Sequence, residues 1–417
     1  MQLQTILNRV EKHKSFVYGR ACWVEDGGRA GIEIEIQARR NGRPVCAGCG
    51  RKRPGYDRLP VRRYEFVPLW GLLVFFVYAP RRVNCPWCGV TVERVPWCEG
   101  KQQLTTTYRW FLAKWARRMS WSEVAAAFHT TWDHVFRSVK YAVSWGLTRR
   151  SLRGIRALGV DEIQWKRGQN YLTLVYQIGD GVKRLLWIGR ERTEASLEGF
   201  FDRLGGRRIR GVKYICSDMC QAYLNVIARR ANRAVHVLDR FHIMQSFGKA
   251  LDEIRAAEAR RLKEDGYEPV LKHSRWCLLK RPEHLTEQQT VKLSELLQYN
   301  LQSVRAYLHR EEFQRFWEYQ SPIWAGKFLD EWCVRVMRSR LEPLKRVART
   351  LRNHRELLLN WFRAEGTISA GVVEGLNNKA KLTMRKSFGF RTPEAIETAL
   401  FHNLGDLPEP EFTHEFC

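Results

Sequence analysis

Two cysteine pairs restrict the fold of the amino-terminal part of this chain more than any other feature of the sequence. Cys46 and Cys49 form one CxxC pair, Cys85 and Cys88 form a second, and a glycine follows each pair. Such knuckles let two thiolates converge on one cation, and two knuckles supply the four sulfurs of a closed tetrahedral Zn²⁺ site. The sequence therefore predicts a structural zinc site. Four free buried thiols are the alternative.

The interval between the two cysteine pairs is longer than the usual spacing in a zinc ribbon. We therefore predict that the residues from Val61 to Val83 form a hairpin that brings the two knuckles together. Two further strands are predicted on either side of an Asp-Gly turn, over Phe16–Val24 and Gly31–Gln37. Residues 1–100 are accordingly expected to form a β domain.

The charge balance indicates a polyanionic partner. Lysine and arginine total 71 against 44 aspartates and glutamates, which gives a net charge of +27. Because the basic residues are spread through every section of the chain, the balance favours nucleic acid over an anionic membrane surface. The most apolar run, Val67 to Ala79, is shorter than the ~20 residues that span a bilayer. No secretory signal opens the sequence and its cysteines are typical of a reducing compartment, so we expect a cytoplasmic protein.

Residues 101–150 have the pattern of three helices. Ser120 and Glu123 form a capping box that begins a short helix, and a longer helix is predicted from Trp132 to Trp145. A short helix, a tight turn and a longer helix are typical of a helix-turn-helix, in which Arg137 and Lys140 would contact DNA. A three-helix unit that only packs is the alternative.

From residue 151 to 240 the sequence predicts a mixed α/β sheet with an antiparallel edge. Helices are expected over Thr193–Leu204 and Met219–Ala231. The five predicted strands are Ile155–Trp165, Tyr171–Ile178, Val182–Gly189, Val212–Cys216 and Ala234–Leu238.

Residues 241–365 are charged and helical, without a convincing strand. Tryptophans recur through this region among arginines and lysines. They suit either stacking on bases or the core of a helical domain, and the core is the commoner role. The typical helical pieces are Ala250–Lys263, Leu293–Arg310 and Pro343–Arg363.

The stretch from Ala370 to Arg391 reads as a two-faced helix. Its apolar face is formed by Val372, Val373, Leu376, Ala380 and Met384. The opposite stripe carries a single carboxylate among amide and cationic groups, which suits a metal-binding acid that lies against a phosphodiester backbone. An amphipathic surface helix with one glutamate is the alternative. That polar stripe consists of Glu374, Asn378, Lys381 and Arg385.

Three carboxylates are candidates for a common site. Asp161 lies late in the first strand of the predicted sheet and Asp218 ends the fourth, where the carboxyl ends of parallel strands meet. Joined by Glu374, they would repel one another unless divalent cations relieve the repulsion, and carboxylate oxygens suit Mg²⁺ or Mn²⁺. A pair of such ions activates an attacking water or hydroxyl in phosphoryl transfer. This physical argument does not by itself select these three residues from the 44 acids.

Four motifs make the selection: GVDEI at 159–163, SDMCQAY at 217–223, LDRFHI at 238–243 and VEGLNNKAK at 373–381. With them the chain resembles the DDE transposases of bacterial insertion sequences, in the branch with an amino-terminal zinc ribbon. The resemblance implies that Asp161, Asp218 and Glu374 hold the catalytic Mg²⁺ or Mn²⁺. Asp239 is the main rival for the second position, with a helix N-cap as its structural role, and Glu162 is a further candidate to assist.

The resemblance also implies the fold class, which is a multidomain α+β protein. A zinc-ribbon domain (1–100) and a helix-turn-helix (101–150) would precede an RNase H-like mixed α/β catalytic core. That core would comprise residues 151–240 and 366–405, interrupted by an all-α insertion (241–365) and followed by a tail (406–417).

The implied activity is cleavage of a phosphodiester at each transposon end, followed by attack of the released 3′ hydroxyl on target DNA. The partner would be double-stranded DNA, both at the transposon ends and at the target. No membrane partner is expected, and the protein would be associated with the bacterial nucleoid. Synapsis of two ends makes a homodimer the expected state. A domesticated regulator that does not cut and a structure-specific nuclease of the same fold are the rival functions. The residues expected to contact DNA here are Asn377, Asn378, Lys381, Arg385, Lys386 and Arg391, with solvated surface charge as the alternative.

Overall fold

The computed structural model describes residues 3–179, 181–267, 270–364 and 370–411. Its backbone divides into two compact units, one formed by Met1–Ser151 with Leu382–Cys417 and the other by Leu152–Lys381. In the described ranges no helix is both long enough and apolar enough to cross a membrane.

The first unit begins with a helix that the sequence did not predict, followed by two small sheets. One sheet has the order β1-β2-β5-β4, in which β2 and β5 are parallel, and the other has the order β3-β6-β7. The hairpin predicted between the cysteine pairs is confirmed, because β4 and β5 pair antiparallel. These elements are α1 (Leu3–Val10), β1 (Phe16–Asp26), β2 (Arg29–Ala38), β3 (Gly55–Arg58), β4 (Arg62–Leu69), β5 (Leu72–Tyr78), β6 (Arg81–Cys85) and β7 (Gly89–Val92).

A core rich in aromatic side chains packs against the four-stranded sheet of the first unit. Trp97 is fully buried, with its ring centroid 4.9 Å from that of Phe16 and 5.3 Å from that of Tyr78. Ile34 of β2 and Phe76 of β5 are also fully buried. Alternation of such residues with polar ones places one face of each strand in this core.

Three helices follow, namely α2 (Thr106–Ala116), α3 (Trp121–Ala127) and α4 (Trp132–Arg149). The predicted capping box is confirmed, since the Ser120 hydroxyl accepts from the Glu123 N–H and the Glu123 carboxylate accepts from the Ser120 N–H. Thr131 caps α4 in the same way by accepting from the His134 N–H. Local side chains therefore define where these helices begin.

The second unit contains a five-stranded sheet of order β10-β9-β8-β11-β12. Strand β9 pairs antiparallel with both β10 and β8, whereas β11 pairs parallel with both β8 and β12. The predicted mixed sheet with an antiparallel edge is therefore confirmed. Three helices accompany it, α5 (Glu194–Leu204), α6 (Gly206–Ile209) and α7 (Gln221–Arg230). The strands are β8 (Ala157–Lys166), β9 (Asn170–Gln177), β10 (Arg184–Arg190), β11 (Tyr214–Ser217) and β12 (Val235–Leu238).

After β12 the described residues of the second unit are helical. Two helices predicted as single pieces are each broken in two. Residues 298–301 separate α10 from α11, where Leu301 is extended, and His354 leaves helical geometry between α13 and α14. These helices are α8 (Arg240–Glu264), α9 (Arg275–Leu279), α10 (Glu287–Leu297), α11 (Gln302–Gln314), α12 (Pro322–Met337), α13 (Glu342–Asn353) and α14 (Arg355–Arg363), with two short 3₁₀ turns at Pro282–His284 and Arg315–Glu318.

One apolar core unites these helices. Trp332 is fully buried and packs against Phe247 and Phe313, and Trp317 lies at the edge of the same core. The core role therefore accounts for these tryptophans, whereas Trp276 and Trp324 are exposed.

The last two helices are α15 (Ala370–Lys386) and α16 (Pro393–Leu404). Ala395 and Ala399 of α16 share a core with Val139 and Val143 of α4. This packing explains why residues from Leu382 onward belong to the first unit, although the sequence analysis grouped 366–405 with the catalytic core.

The described part of the tail is packed. The Glu409 carboxylate lies 2.6 Å from an Arg117 guanidinium nitrogen. Leu407 lies so close to Gly146 of α4 that a Cβ there would be 2.7 Å from the leucine Cβ. The tail is thus attached at least to residue 411, and residues 412–417 lie outside the described ranges.

Candidate active site and metal centre

Three aspartates form a row across the parallel part of the sheet. Val160 of β8 pairs with Ser217 of β11, which in turn pairs with Leu238 of β12. The residue after each of these three is an aspartate, namely Asp161 within β8, Asp218 directly after β11 and Asp239 directly after β12. The three side chains are buried, with 6%, 6% and 5% of their surface exposed. Asp161 is the fifth residue of the ten in β8, so it lies in mid-strand and not near its end as predicted.

Asp239 performs two tasks. It is the N-cap of α8, where its carboxylate accepts from the Phe241 N–H at 2.7 Å. Its own N–H donates to the Ser217 carbonyl at 2.8 Å, which continues the strand pairing by one residue. The N-cap role considered for Asp239 is therefore observed, and the same residue also stands in the row of carboxylates.

Arg192 links two acids of the site. Its guanidinium donates to Asp218 Oδ2 at 2.5 Å and approaches Glu162 Oε1 at 3.2 Å. The Cys220 N–H donates to the other Asp218 oxygen at 3.0 Å. Arg192 follows the end of β10, and no motif in the sequence indicated its role.

His242 lies between two carboxylates, with its Nε2 3.7 Å from both Asp161 Oδ2 and Asp239 Oδ2. The interaction with the Asp161 carboxylate is the main reason that the pKa of His242 is raised to about 9. The imidazole is therefore charged at neutral pH and reduces the repulsion between the aspartates. His242 belongs to the LDRFHI motif, so the sequence could have indicated its role, but the sequence analysis did not name it as a site residue.

Burial controls the acidity of the neighbouring carboxyls. Desolvation raises the pKa of Asp218, and it raises that of Asp239 to about 6. Desolvation, with the Asp218 charge adding to it, raises the pKa of Glu162 to about 7. Glu374 is among the charges that raise the pKa of Asp239, which places this glutamate within electrostatic reach of the row.

Helix α15 buries a stripe of four residues, Val373, Leu376, Asn377 and Ala380. Of these, Val373 and Asn377 contact the sheet. The Asn377 amide nitrogen donates to Asp161 Oδ2 at 2.5 Å, and its oxygen accepts from the Tyr176 hydroxyl at 2.8 Å. Asn377 was predicted to contact DNA, but its amide is used inside the protein. Its burial could have been predicted from the sequence, because Asn377 lies four residues after Val373 and three before Ala380, on the buried face of the helix.

Glu374 and Asn378 are exposed, as the predicted polar stripe requires. Glu374 precedes Asn377 by three residues, a spacing that places their Cβ atoms about 5–6 Å apart on a helix surface. Because Asn377 touches Asp161, the glutamate stands about one helical turn from the row. Lys381 and Arg385 continue the exposed stripe.

Gly159 allows this helix to approach the sheet. A Cβ at Gly159 would lie 2.4 Å from Val373 Cγ2 and 3.2 Å from Ile178 Cγ2. The absence of a side chain two residues before Asp161 is therefore what lets α15 come near enough to place Asn377 on the aspartate.

We expect Gly159→Ala to lower the stability of the second unit by about 1–3 kcal/mol, because the new methyl group overpacks the contact with Val373. The melting temperature measured by circular dichroism should fall by roughly 2–4 °C per kcal/mol. Gly248→Ala in α8 is the matched control, since nothing lies within 4 Å of a Cβ there. It should be neutral or stabilising. Failure of Val373→Ala to restore the Gly159→Ala variant would contradict this account.

Carboxylate oxygens of this kind fit hard divalent cations. Oε2 of Glu162 is buried and has no hydrogen-bond partner in the described ranges, so it is an oxygen donor that a cation would satisfy. Asp161, Asp218 and Glu374 do not all lie within 4.8 Å of one another.

The four cysteines of the two CxxC pairs, Cys46, Cys49, Cys85 and Cys88, do form a compact cluster in the first unit. Within the described part of the chain they are the only group of three or more potential ligands whose donor atoms all lie within 4.8 Å. The sulfurs of Cys49 and Cys85 are 3.7 Å apart. A tetrahedral site with Zn–S bonds of ~2.3 Å has sulfurs roughly 3.8 Å apart, so the geometry fits Zn²⁺.

The backbone prepares these thiols for a cation. Although desolvation opposes it, hydrogen bonds from the Trp87 and Cys88 N–H groups lower the pKa of Cys85 to about 6. Hydrogen bonding from the Arg51 backbone likewise lowers the pKa of Cys49. Thiolates are the metal-binding form, so the backbone favours the state that zinc requires at Cys49 and Cys85. Desolvation and the neighbouring cysteines raise the pKa of Cys88 instead.

Several predicted DNA-contact residues engage the protein itself. Arg137 pairs with Asp133 at 2.8 Å, and Lys140 pairs with Glu394 at 2.5 Å. The Lys386 ammonium donates to the Arg117 carbonyl at 3.0 Å. All of these contacts lie within the first unit, and the side chains of Arg137 and Lys140 remain more than half exposed. Surface pairs of this kind are weak, so they leave the cations able to exchange partners. Arg391 is exposed.

Comparison with known proteins identifies the family. A family model described as a transposase, of the ISL3 group of DDE enzymes, matches residues 158–400. The chain belongs to this transposase family. The matched segment contains the aspartate row, Arg192 and α15.

Two relatives extend the similarity over nearly the whole transposase. The transposase for insertion sequence element IS1001 of Bordetella parapertussis is 29% identical over 380 residues, which cover 90% of this chain and 92% of that protein. The transposase for insertion sequence element IS1557 of Mycobacterium tuberculosis (strain CDC 1551 / Oshkosh) is 31% identical over 379 residues. This match covers 84% of this chain and 83% of that protein.

Proposed function

We propose that this transposase binds the terminal repeats of its insertion sequence and catalyses metal-dependent cleavage and transfer of DNA strands. One observation supports the proposal above all others. The aspartates stand level with one another in one buried row, with Asp161 in mid-strand and Asp218 and Asp239 directly after their parallel strands. The contact of Asn377 with Asp161 holds α15, the helix that carries Glu374, at this row.

Asp161, Asp218 and Glu374 would hold two Mg²⁺ or Mn²⁺ ions, which when bound activate the attacking oxygen and stabilise the leaving one. Asn377 and the Glu162 N–H, which donates to Asp161 Oδ1 at 2.8 Å, fix the orientation of that carboxylate. Arg192 and His242 supply positive charge between the acids. Asp239 or Glu162 would assist them.

The proposed reaction has two steps. Water attacks the phosphorus at a transposon end, the P–O3′ bond breaks, and the 3′ oxygen leaves with a proton. That 3′ hydroxyl then attacks a phosphorus of the target and forms a new P–O3′ bond. The P–O3′ bond of the target strand breaks, and its 3′ oxygen leaves with the proton that the attacking hydroxyl loses. Neither step requires a covalent bond to the protein.

The remaining elements would position DNA. We propose that the five-stranded sheet is an RNase H-like core and that the helices from α8 to α14 are its insertion. The cysteine cluster would hold a structural Zn²⁺ in a ribbon, and α2 to α4 would act as a helix-turn-helix that presents Arg137 and Lys140 to an end. Phosphates would be contacted by Asn378, Lys381, Arg385, Lys386 and Arg391, and a homodimer would pair two ends.

The test uses the full chain with a duplex that carries the terminal repeat of the element, a target plasmid, and Mg²⁺ or Mn²⁺. We expect nicking at the repeat and a joined product with the plasmid. Cleavage of branched DNA without dependence on the repeat and without joining would instead support a structure-specific nuclease. Binding without cleavage would support a regulator.

We expect Asn377→Ala to slow cleavage by about 10–100-fold, the usual effect of removing a residue that orients a metal ligand. The Mg²⁺ concentration for half-maximal rate should rise, because Asp161 loses its donor. Stability should fall by about 1–3 kcal/mol, because the buried Tyr176 hydroxyl also loses its acceptor.

Asn378→Ala provides the control for that variant, since it removes the same amide from the exposed face of the same helix. It should leave the Mg²⁺ dependence unchanged. Equal Mg²⁺ dependence in the two variants would show that Asn377 does not orient Asp161.

A further inference from the structure

The backbone at Arg192, between β10 and α5, is held in place from both sides. Glu191 has a φ of 67°, in the left-handed region that is costly for a residue with a side chain. Two hydrogen bonds enforce this conformation, because its N–H donates to the Tyr171 carbonyl at 2.9 Å and its carbonyl accepts from the Thr173 hydroxyl at 2.7 Å. On the other side, Thr193 is the N-cap of α5. The point from which the Arg192 side chain extends is therefore well defined.

The guanidinium of Arg192 is shared between two acids of the site. It donates to Asp218 Oδ2 at 2.5 Å and lies 3.2 Å from Glu162 Oε1. The Arg192 side chain is 38% exposed, against 7% for Asp218 and 14% for Glu162. Arg192 is thus the most accessible of these three charged groups, and a ligand in solvent can reach it.

The ion pair of Arg192 with Asp218 competes with the divalent ions that the proposed function assigns to the same carboxylate. Asp218 Oδ1 accepts from the Cys220 N–H at 3.0 Å, and Oδ2 accepts from the guanidinium. A divalent ion on Asp218 would therefore lie beside another positive charge, and like charges a few ångströms apart in a partly buried site repel strongly. Loading of the carboxylates with such ions favours movement of the guanidinium away from them.

A DNA phosphate is the anion that the displaced guanidinium suits. Its planar fork of donors matches two phosphate oxygens at once. Because the backbone of Arg192 is held on both sides, the fork can move only as far as its side chain reaches, which keeps it near Asp218. The strand that is cut at the aspartate row would bring its phosphates to that place.

We propose that Arg192 is a DNA-contact residue of the active site, which exchanges the carboxylates of Asp218 and Glu162 for a phosphate of the bound strand when divalent ions occupy the row. The inference rests on the proposed function, because it takes DNA and divalent ions at the row as given. Arg192 then does more than neutralise acids. Its contact with DNA differs from that of a surface arginine, because it depends on bound divalent ions.

The test measures binding of the full chain to an end-bearing duplex by fluorescence anisotropy, with Ca²⁺ and without divalent ions. The second buffer is passed over a chelating resin, so that no free chelator removes bound zinc. Arg192→Gln keeps a polar side chain but loses the charge and the fork. Arg229→Gln is the matched control, because it removes an arginine of the same unit that also bridges two acids, Glu194 and Glu198.

We expect Arg192→Gln to bind the duplex about tenfold more weakly than the unmodified protein in Ca²⁺, the effect of one charged hydrogen-bonded contact. Without divalent ions the two proteins should differ much less, because the carboxylates then hold Arg192. The control should match the unmodified protein in both buffers. An equal loss in the two buffers, or no loss in Ca²⁺, would overturn the inference.

Metal binding without DNA provides a second measurement. Because the guanidinium competes with cations for Asp218, Arg192→Gln should bind Mn²⁺ about tenfold more tightly than the unmodified protein, as followed by electron paramagnetic resonance of free Mn²⁺. A residue that only orients the carboxylates has the opposite effect, since its loss weakens metal binding. Unchanged or weaker binding of Mn²⁺ by Arg192→Gln would therefore also contradict the proposal.

Arg192→Lys keeps the test decisive if circular dichroism shows that Arg192→Gln does not fold. Lysine retains one positive charge but lacks the paired donors of the guanidinium. We therefore expect a smaller loss of DNA affinity, about threefold, and again only in Ca²⁺. A loss of the same size without divalent ions would refute the exchange.

Cleavage separates this inference from the function on which it rests. If the unmodified protein cuts and joins DNA while Arg192→Gln loses affinity equally in both buffers, only the role of Arg192 is refuted. If the unmodified protein cuts no end-bearing DNA in Mg²⁺ or Mn²⁺, the proposed function fails whatever the variants do.

Discussion

Asp161→Asn is expected to reduce strand cleavage by about 10³-fold while DNA binding persists. Asparagine keeps the shape of the side chain but removes the charge that would hold a divalent cation. A loss of about 4 kcal/mol of transition-state stabilisation corresponds to this factor. Single-turnover cleavage of an end-bearing duplex in Mg²⁺ measures it. Cleavage by Asp161→Asn at the unmodified rate would refute the proposed active site.

Two further variants decide which aspartate is the second ligand. Asp218→Asn should lose cleavage as Asp161→Asn does, and Asp239→Asn should lose less. Asparagine is also a good N-cap, so Asp239→Asn preserves the start of α8 and isolates the charge. If Asp239→Asn lost more cleavage activity than Asp218→Asn, Asp239 and not Asp218 would be the second metal-binding aspartate.

Stability measurements exclude a trivial cause of lost activity. Burial raises the pKa of Asp218 and Asp239, so ionised carboxylates in the row oppose folding when no cation is bound. Asp218→Asn and Asp239→Asn should therefore leave the melting temperature unchanged or higher. Asp202→Asn, which removes an exposed acid paired with Arg230, serves as the matched control and should cut normally.

Cys85→Ser is expected to abolish zinc binding and to unfold the region around the two knuckles. Structural zinc contributes about 10–16 kcal/mol of binding free energy in zinc-finger peptides, which exceeds what the small core around Val83 can replace. Mass spectrometry of the native protein should find one Zn²⁺ per chain before the substitution and none after it. Binding to the end duplex should weaken in parallel.

Cys22→Ser is the control for that experiment, because Cys22 lies on β1 outside the cysteine cluster. It should retain the metal and the melting temperature. Retention of stoichiometric zinc by a variant with all four cluster cysteines replaced would contradict the assignment.

Local features of the sequence predicted much of the fold. The capping box of Ser120 and Glu123 was predictable because it involves two residues only three positions apart in the sequence, and the structure contains it. The five strands of the second unit were found within a few residues, because each is a short apolar run bounded by turn signals. Helix breaks at 298–301 and at His354 were missed because no proline or glycine marks them.

The position of Asn377 shows what local reasoning could not supply. The sequence analysis grouped it with exposed DNA contacts, although it follows the buried spacing of Val373 and Ala380. Its burial is favourable only because the Tyr176 hydroxyl and the Asp161 carboxylate meet both ends of its amide. Those partners lie about 200 positions away in the chain, and no helical pattern includes them.

The sequence by itself determined the family, the cysteine knuckles, the strands and most of the helices, because these depend on motifs and on contacts between near neighbours. Only the tertiary structure decided that Asp239 stands level with Asp161 and Asp218 and that Arg192 and His242 lie among them. The reason is strand register. It is set by packing between segments far apart in the chain, and it brings together side chains whose spacing in the sequence carries no signal.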